Sequence, residues 1–204
     1  PIAVFCVTLK RAFLNQAELV DSLLASDSIK SNPFLLLTKA RAQIQLNNLK
    51  QAKQIYDLII DTKPDLISPY VDMGDVAGFK KDINQAVFWY KKALKLSPGS
   101  AGVRLKIGDL YYASGDTSNA LLEYKKLILD FPGHITAYNQ LAWVLADIGK
   151  PEEALSYAKK GKKIQFDNID LTDTLAWIYF KLGQYDKALE TYSNLKNVKL
   201  YSIC

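Results

Sequence analysis

An alanine that returns every 34 residues constrains this sequence more than any other feature. With neither insertion nor deletion between them, the five alanines are Ala52, Ala86, Ala120, Ala154 and Ala188. A fixed period of this length indicates a repeat architecture in which each period forms one small supersecondary unit. One unit alone leaves an apolar face bare, so neighbouring units must stack to bury it. We therefore predict a stacked array of like units.

Three further columns of residues keep the same register. A small residue lies twelve positions before each alanine, at Ala40, Gly74, Gly108, Ala142 and Ala176. Four positions after each alanine the column is aromatic in four of five cases, at Tyr56, Tyr90, Tyr124, Ala158 and Tyr192. A proline follows the first three alanines by twelve positions, at Pro64, Pro98 and Pro132. We expect the small residues to let paired helices approach closely and the tyrosines to fill the gap to the next pair.

Each unit divides into two helical patterns. Apolar residues recur at spacings of three and four, as at Ala86, Tyr90 and Ala93, which is a helix period and not a strand period. The predicted helices cover residues 34–46 and 49–60, 69–80 and 83–96, 102–114 and 117–129, 135–148 and 152–164, and 171–182 and 185–197. Glycines separate the two helices in the last three units, at Gly115, Gly149 and Gly183. The prolines are expected to end the second helix.

The period, the small, alanine and aromatic columns and the terminal proline together resemble the tetratricopeptide repeat (TPR). Residues 107–111 (Ile-Gly-Asp-Leu-Tyr) and 175–179 (Leu-Ala-Trp-Ile-Tyr) carry the resemblance best. It covers units at 33–66, 67–100, 101–134, 135–168 and 169–200, with a degenerate helix pair at 1–32 (helices at 3–14 and 16–25) and a tail at 201–204. The resemblance implies an all-α fold, a right-handed α-solenoid superhelix of stacked antiparallel helix pairs.

The fourth unit departs from this pattern at three positions. Ala158 stands in the aromatic column, Gly161 lies inside the second helix, and Phe166 takes the place of the proline. We therefore expect looser or bent packing in the fourth unit.

Residue types that support catalysis or metal binding are sparse. A Ser/His/Asp or Cys/His hydrolase needs a histidine beside its nucleophile, whereas the single histidine, His134, follows a Pro-Gly turn and is interpreted as a solvated loop residue. Cys6 and Cys204 lie near opposite ends, which gives neither a disulfide framework nor a Cys-x-x-Cys metal pair. The glycines at 99 and 102 lack the Gly-Lys-Ser/Thr of a phosphate loop. We predict a protein that is not an enzyme and that holds no cofactor and no metal.

Charge and hydropathy favour a folded domain that binds neither nucleic acid nor membrane. The formal net charge is +5, but the lysines are scattered among acidic residues and form no basic block. No apolar run approaches the roughly 20 residues that a membrane helix needs. Because the chain begins at Pro1, we interpret it as a piece of something longer. The compartment stays open, with the cytoplasm favoured over the periplasm or secretion.

The resemblance implies that the first helix of each pair lines a concave groove. Three columns should face that groove: Leu37, Val71, Leu105, Asn139 and Asp173; Arg41, Asp75, Asp109, Trp143 and Trp177; and Ile44, Gly78, Tyr112, Ala146 and Phe180. Trp143 and Trp177 should lie side by side because they are 34 residues apart. With Tyr112 and Phe180 one turn away, they would receive apolar side chains of a partner. The alternative is that these rings pack against the adjacent repeat.

Polar residues of the first helices predict a mixed lining. Arg41 and Lys106 would meet carboxylates, and Asn139 would bond an extended peptide backbone. Three carboxylates would meet basic groups: Asp75, Asp109 and Asp173. The alternative is that all of them are simply solvated. Some TPR modules clamp the C-terminal carboxylate of heat-shock chaperones with Lys and Asn, but Leu37 and Arg41 stand at those positions here, so the resemblance does not extend to that clamp.

The sequence thus predicts a non-catalytic protein-interaction scaffold or adaptor that binds a peptide segment or partner protein in the concave groove. The alternative is a TPR recruitment or regulatory region of a larger multidomain enzyme or signalling protein. Self-association through exposed solenoid ends is a third possibility. Neither nucleic-acid binding nor membrane insertion is favoured.

Overall fold

The computed structural model describes residues 11–16, 18–22 and 32–201. Throughout these residues the regular structure is α-helical, which confirms the predicted all-α class. The helices of the repeat region are α1 (Pro33–Gln45), α2 (Leu49–Thr62), α3 (Ile67–Phe79), α4 (Ile83–Leu96), α5 (Ala101–Ala113), α6 (Thr117–Asp130), α7 (Ile135–Asp147), α8 (Pro151–Ile164), α9 (Ile169–Lys181) and α10 (Tyr185–Tyr201). Residues 11–16 and 18–22 are helical, and the rest of the expected N-terminal pair lies outside the described residues.

The chain forms two compact units, Pro1–Ser100 and Ala101–Cys204. In the N-terminal unit α1 pairs with α2 and α3 with α4, and α3 also packs on both helices of the preceding pair. In the C-terminal unit the pairs are α5 with α6, α7 with α8 and α9 with α10, and α9 likewise packs on both α7 and α8. Short connections make the two helices of each pair antiparallel. Each unit is therefore a stack of helix pairs, as the repeat predicts.

The ends of the helices follow the turn chemistry of the sequence. The observed bounds agree with the predicted ones within two residues, except that α10 continues to Tyr201. Each proline predicted to end a helix lies two residues beyond the last residue of α2, α4 or α6. Proline cannot continue a helix, and it disfavours helical backbone at the residue before it. Pro151 instead begins α8, where its missing amide hydrogen costs nothing.

The turn within each pair needs one residue in the left-handed region. Glycine takes this conformation in the last three pairs, with φ of 85° at Gly115, 78° at Gly149 and 70° at Gly183. The first two pairs use Asn47 (φ 64°) and Lys81 (φ 62°) at the same point of the turn. Asparagine tolerates this region, whereas a lysine side chain is strained there.

The small-residue column is required by a close contact within each pair. A Cβ added at Gly108 would lie 2.5 Å from Cε1 of Tyr124, and one added at Gly74 would collide with the ring of Tyr90 in the same way. These tyrosines therefore lie across the first helix of their own pair, as well as being buried in the stack. The expectation from the sequence, that the tyrosines fill the gap to the next pair, did not include this contact.

The expectation of loose packing in the fourth unit is wrong. Gly161 is buried, and a Cβ there would lie 2.6 Å from Cδ2 of Leu171 and 3.1 Å from Cβ of Tyr138. Helix α8 continues through Gly161 without interruption, and Ala158 is fully buried. The small residues at 158 and 161 thus bring α9 close to α8. In this unit small side chains replace the tyrosine and the core stays tight.

Candidate functional site

Four aromatic rings form a continuous row in the C-terminal unit. The ring centroids of Trp143 on α7 and Trp177 on α9 are 6.0 Å apart, with 24° between their planes. Trp177 stacks in turn on Phe180, with centroids 5.6 Å apart and planes 14° apart. Tyr185, at the start of α10, meets Phe180 edge-on at 5.6 Å. The two tryptophans lie side by side, as their spacing predicts.

A chain of hydrogen bonds fixes Trp143. Its Nε1 donates to Oη of Tyr112 at 3.2 Å, and that hydroxyl donates to Oδ2 of Asp147 at 3.0 Å. Burial raises the pKa of Tyr112, and its bond to Asp147 acts in the same direction. Tyr112 thus positions the first tryptophan of the row.

The second tryptophan lacks this support. Nε1 of Trp177 is buried and has no hydrogen-bond partner. The repeat explains why: Ala146 occupies the position that corresponds to Tyr112 one period earlier. Oδ1 of Asn139 is also buried without a partner. A buried polar group left in this way costs about 1–3 kcal/mol, so such groups are uncommon in folded proteins.

The aromatic row borders a cleft of about 550 Å³. We call it the aromatic cleft, and its lining residues are Trp143, Asp173, Ala176, Trp177, Phe180, Tyr185, Ala188, Leu189 and Tyr192. The walls are aromatic or aliphatic apart from the Asp173 carboxylate. Its size and apolar walls are those of a ligand site, in which a few polar groups set orientation. The lining offers apolar contact, aromatic ring surfaces and one carboxylate.

Two residues of α10 that line the cleft have much larger exposed fractions than the residues at the same repeat positions in earlier pairs. Tyr192 is 51% exposed, whereas Tyr56 and Tyr124 in the same column are each 1% exposed. Leu189 is 70% exposed, and its counterpart Leu155 packs against the core. In the interior the first helix of the following pair covers this face, as α9 covers α7 and α8. The aromatic cleft is therefore the position that a following helix would occupy.

The predicted polar lining of the N-terminal unit takes part in bonds between helices. Nε of Arg41 donates to Oδ2 of Asp72 at 2.8 Å, and Nη2 donates to Oδ1 at 3.3 Å. Oη of Tyr56 donates to the same carboxylate at 3.1 Å. The bond to Asp72 raises the pKa of Arg41, while burial first and then the Asp72 charge raise the pKa of Tyr56. Asp75 accepts from Oη of Tyr90 at 2.6 Å.

Asp109 has the same role in the C-terminal unit. Its Oδ1 accepts from Oη of Tyr124 at 2.7 Å and from Nε2 of Gln140 at 3.1 Å. Burial raises the pKa of Tyr124, and the bond to Asp109 raises it further. Lys106 and Asp173 are exposed on their helices. The structure thus brings together only part of the predicted set, namely Trp143, Trp177, Phe180 and Asp173, with Tyr112 behind them.

Sequence reasoning missed the half of the cleft that α10 contributes. Tyr185, Ala188, Leu189 and Tyr192 line it, but the columns had assigned Ala188 and Tyr192 to packing. The aromatic column carried the signal, because it marks the face on which a following helix packs. His134 also differs from expectation: its Nδ1 accepts from the backbone N–H of Ala137 at 3.2 Å and caps α7.

Neither a metal centre nor a membrane-spanning helix is present in the described part of the chain. No group of three or more His, Cys, Asp or Glu residues is placed there to hold a metal ion. No helix in the same residues has the length and hydropathy to cross a membrane.

Solved structures of low sequence identity share the fold. MamA from Desulfovibrio magneticus RS-1 is 14% identical, covers 91% of this chain and 96% of its own, and has a TM-score of 0.66. YrrB, described as a TPR protein with an unusual peptide-binding site, is 19% identical, with coverages of 89% and 93% and a TM-score of 0.61. PilF from Pseudomonas aeruginosa is 18% identical, with coverages of 81% and 75% and a TM-score of 0.67. No curated protein sequence matches this chain.

Family models give the assignment from sequence. One model described as tetratricopeptide repeat matches residues 105–199, and a second with the same description matches residues 35–66 and 67–100. The matched segments are those in which the structure shows stacked helix pairs. The chain therefore belongs to the tetratricopeptide repeat family.

Proposed function

We propose that this protein is a non-catalytic interaction module that binds a peptide segment of a partner protein in the aromatic cleft. The observation that carries the proposal is an open apolar cleft of about 550 Å³ whose aromatic walls remain exposed. A protein surface rarely keeps a contiguous apolar patch of this kind without a binding role. That YrrB is described by an unusual peptide-binding site agrees with such a role for this fold.

The cleft selects partners by its chemistry. Phe180 and Tyr185 present ring faces and edges that suit aliphatic or aromatic side chains. Asp173 is the carboxylate of the lining and favours a basic group of the partner at that end. Truncating an aromatic anchor in such a site commonly costs more than about 2 kcal/mol of binding free energy.

The test begins with selection of peptides from a displayed random library on the purified chain. Binding of each selected peptide is then measured by calorimetry with wild type and with Phe180→Ala, since Phe180 is half exposed and its truncation leaves the core intact. We expect Phe180→Ala to weaken binding by about tenfold or more.

A control variant removes an exposed phenylalanine ring outside the cleft. Phe166 is 80% exposed and is not part of the lining, so Phe166→Ala should bind the selected peptides as wild type does. Circular dichroism establishes that both variants keep their helicity. If the selected peptides bind the folded Phe180→Ala variant with unchanged affinity, the aromatic cleft is not the binding site.

A further inference from the structure

The buried tyrosines of the aromatic column, Tyr56, Tyr90 and Tyr124, adopt one of two arrangements, and the small-residue column selects between them. Where that column holds glycine, at Gly74 and Gly108, the tyrosine ring lies against the glycine and its hydroxyl donates to an aspartate of the same pair. A Cβ at either position would collide with the ring. Alanine therefore excludes this arrangement.

The first pair shows the other arrangement. It has Ala40 in the small column, and Arg41 stands where the later pairs have Asp75 and Asp109. Oη of Tyr56 donates forward instead, to Asp72 on α3, which is the helix that packs over the α1–α2 pair. The hydroxyl thus links two successive pairs through a carboxylate on the incoming helix.

The last pair has the residues of this forward arrangement. Ala176 corresponds to Ala40, Ala188 to Ala52 and Tyr192 to Tyr56. Trp177 stands at the aspartate position, so the acceptor within the pair is missing as well. Tyr192 lines the aromatic cleft and is half exposed. Its hydroxyl therefore suits an acceptor on a helix that enters the cleft.

Charge near the cleft supports a carboxylate as that acceptor. Nζ of Lys181 lies 4.7 Å from the centroid of the Trp177 ring, and Trp177 holds the register position from which Arg41 reaches Asp72. Asp173 lies one turn from Trp177 on the opposite side and disfavours a second carboxylate at its own end. The partner's acid is thus directed away from Asp173.

We propose that the aromatic cleft binds an amphipathic helix of a partner protein, with aliphatic side chains against Phe180 and Leu189 and a carboxylate that accepts a hydrogen bond from Oη of Tyr192. The proposal rests on the proposed function and names the class of its partner. It continues the established stacking interface, in which α3 occupies the same position on α1 and α2, and α9 on α7 and α8.

The chain itself supplies a probe. A peptide of residues 66–80 contains α3 with Asp72, and positions 75 and 79 are exposed on that helix. The peptide carries a lactam between Asp75 and a Phe79→Lys substitution, an acetylated N-terminus and an amidated C-terminus. The lactam keeps it helical, because a peptide this short is only marginally helical in water. Asp72 is then its only free carboxylate.

The measurement is fluorescence anisotropy of the labelled lactam peptide with the full chain. We expect saturable binding that Tyr192→Phe weakens by about tenfold, because a hydrogen bond to a charged acceptor is lost while the apolar surface is kept. Tyr157→Phe is the control, because Tyr157 lies on α8 outside the lining of the cleft, and this variant should bind as wild type does. The peptide with Asp72→Asn should bind more weakly and should no longer distinguish wild type from Tyr192→Phe.

Other results would overturn the inference in distinguishable ways. If Tyr192→Phe and Tyr157→Phe bind the peptide equally, the carboxylate bond is absent. If the peptide fails to bind at about 1 mM while library peptides bind in a Phe180-dependent manner, the helix assignment is wrong and the proposed function stands. If neither kind of peptide depends on Phe180, both proposals fail. A dimer in sedimentation that Tyr192→Phe dissociates would instead identify the occupant as a second copy, which contradicts a separate partner.

Discussion

At the scale of single residues, the repeat allows the same structural position to be compared with different side chains. Lys81 holds a left-handed backbone conformation that glycine holds in three equivalent turns. Gly161 and Gly102 are both helical, but one is packed against Leu171 and the other faces open space. Each comparison provides a variant with its own control.

Replacing Lys81 by glycine should stabilise the protein. Glycine takes a φ of 62° without the steric cost that a side chain has there, and we expect a gain of about 0.5–1 kcal/mol in the free energy of unfolding. Urea titration followed by circular dichroism measures it. Lys80, whose φ is −75°, is the control, and Lys80→Gly should be destabilising. A loss of stability in Lys81→Gly would contradict the strain.

Adding one methyl group at position 161 should be harmful. The new Cβ of Gly161→Ala would lie 2.6 Å from Cδ2 of Leu171, whose side chain is fully buried and must move, at a cost of about 1–3 kcal/mol. Gly102→Ala is the control, because no atom lies within 4 Å of the added carbon and alanine favours the helix by up to about 1 kcal/mol. The two changes should therefore have opposite signs in thermal or urea unfolding.

At the scale of helices and pairs, buried tyrosine hydroxyls connect elements through aspartates. Tyr124 binds Asp109 within its pair, whereas Tyr56 binds Asp72 across two pairs. Both tyrosines have raised pKa values, chiefly because burial disfavours the phenolate. The folded state therefore keeps these protons at a pH at which the unfolded chain releases them.

This linkage predicts a loss of stability in alkali. Below pH 10.0, the ordinary pKa of the unfolded tyrosine, the contribution of the raised pKa is fully present. Above it the folded state binds more protons than the unfolded state, so the free energy of unfolding falls as pH rises. Urea titrations from about pH 9 to 11 should show this fall in wild type. The double variant Tyr56→Phe, Tyr124→Phe should have a shallower slope, and an equal slope would assign the effect to other tyrosines.

Much of the architecture could be predicted because it depends on local periodicity. Proline positions predicted the ends of α2, α4 and α6, and glycine positions predicted those of α5, α7 and α9. The 34-residue spacing placed Trp143 beside Trp177. The hydrogen bonds of Arg41 with Asp72 and of Asp109 with Tyr124 could not be predicted. Only packing brings these partners within hydrogen-bond distance. The prediction of loose packing around Gly161 was wrong. A residue without a side chain indicates weak packing unless the neighbour that fills the space is known.

At the scale of the whole molecule, the charge distribution distinguishes a peptide partner from a nucleic acid. The net charge is +5 on a chain with 26 basic and 21 acidic residues. The aromatic cleft that we propose as the binding site is lined by apolar groups and one carboxylate. Binding there should depend on buried apolar surface and little on ionic strength.

Salt dependence therefore tests the class of partner. Between about 50 and 200 mM salt we expect the affinity for library-selected peptides to change by less than about threefold, whereas a protein making several phosphate contacts loses about a thousandfold or more. Calorimetry at the two salt concentrations measures the change, with a single-stranded oligonucleotide as the comparison ligand. Tight, steeply salt-dependent binding of the oligonucleotide would favour nucleic acid over peptide.

The stacked indoles give the molecule a built-in optical reporter. Trp143 and Trp177 are close enough, at 6.0 Å between centroids, for their electronic transitions to couple, so their ultraviolet circular dichroism depends on the angle between the rings. The sequence has three tryptophans, and Trp89 lies in the other compact unit. Whatever enters the space beside Trp177 and tilts it by a few degrees would change that spectrum. Occupancy could thus be followed without a label, in the native chain.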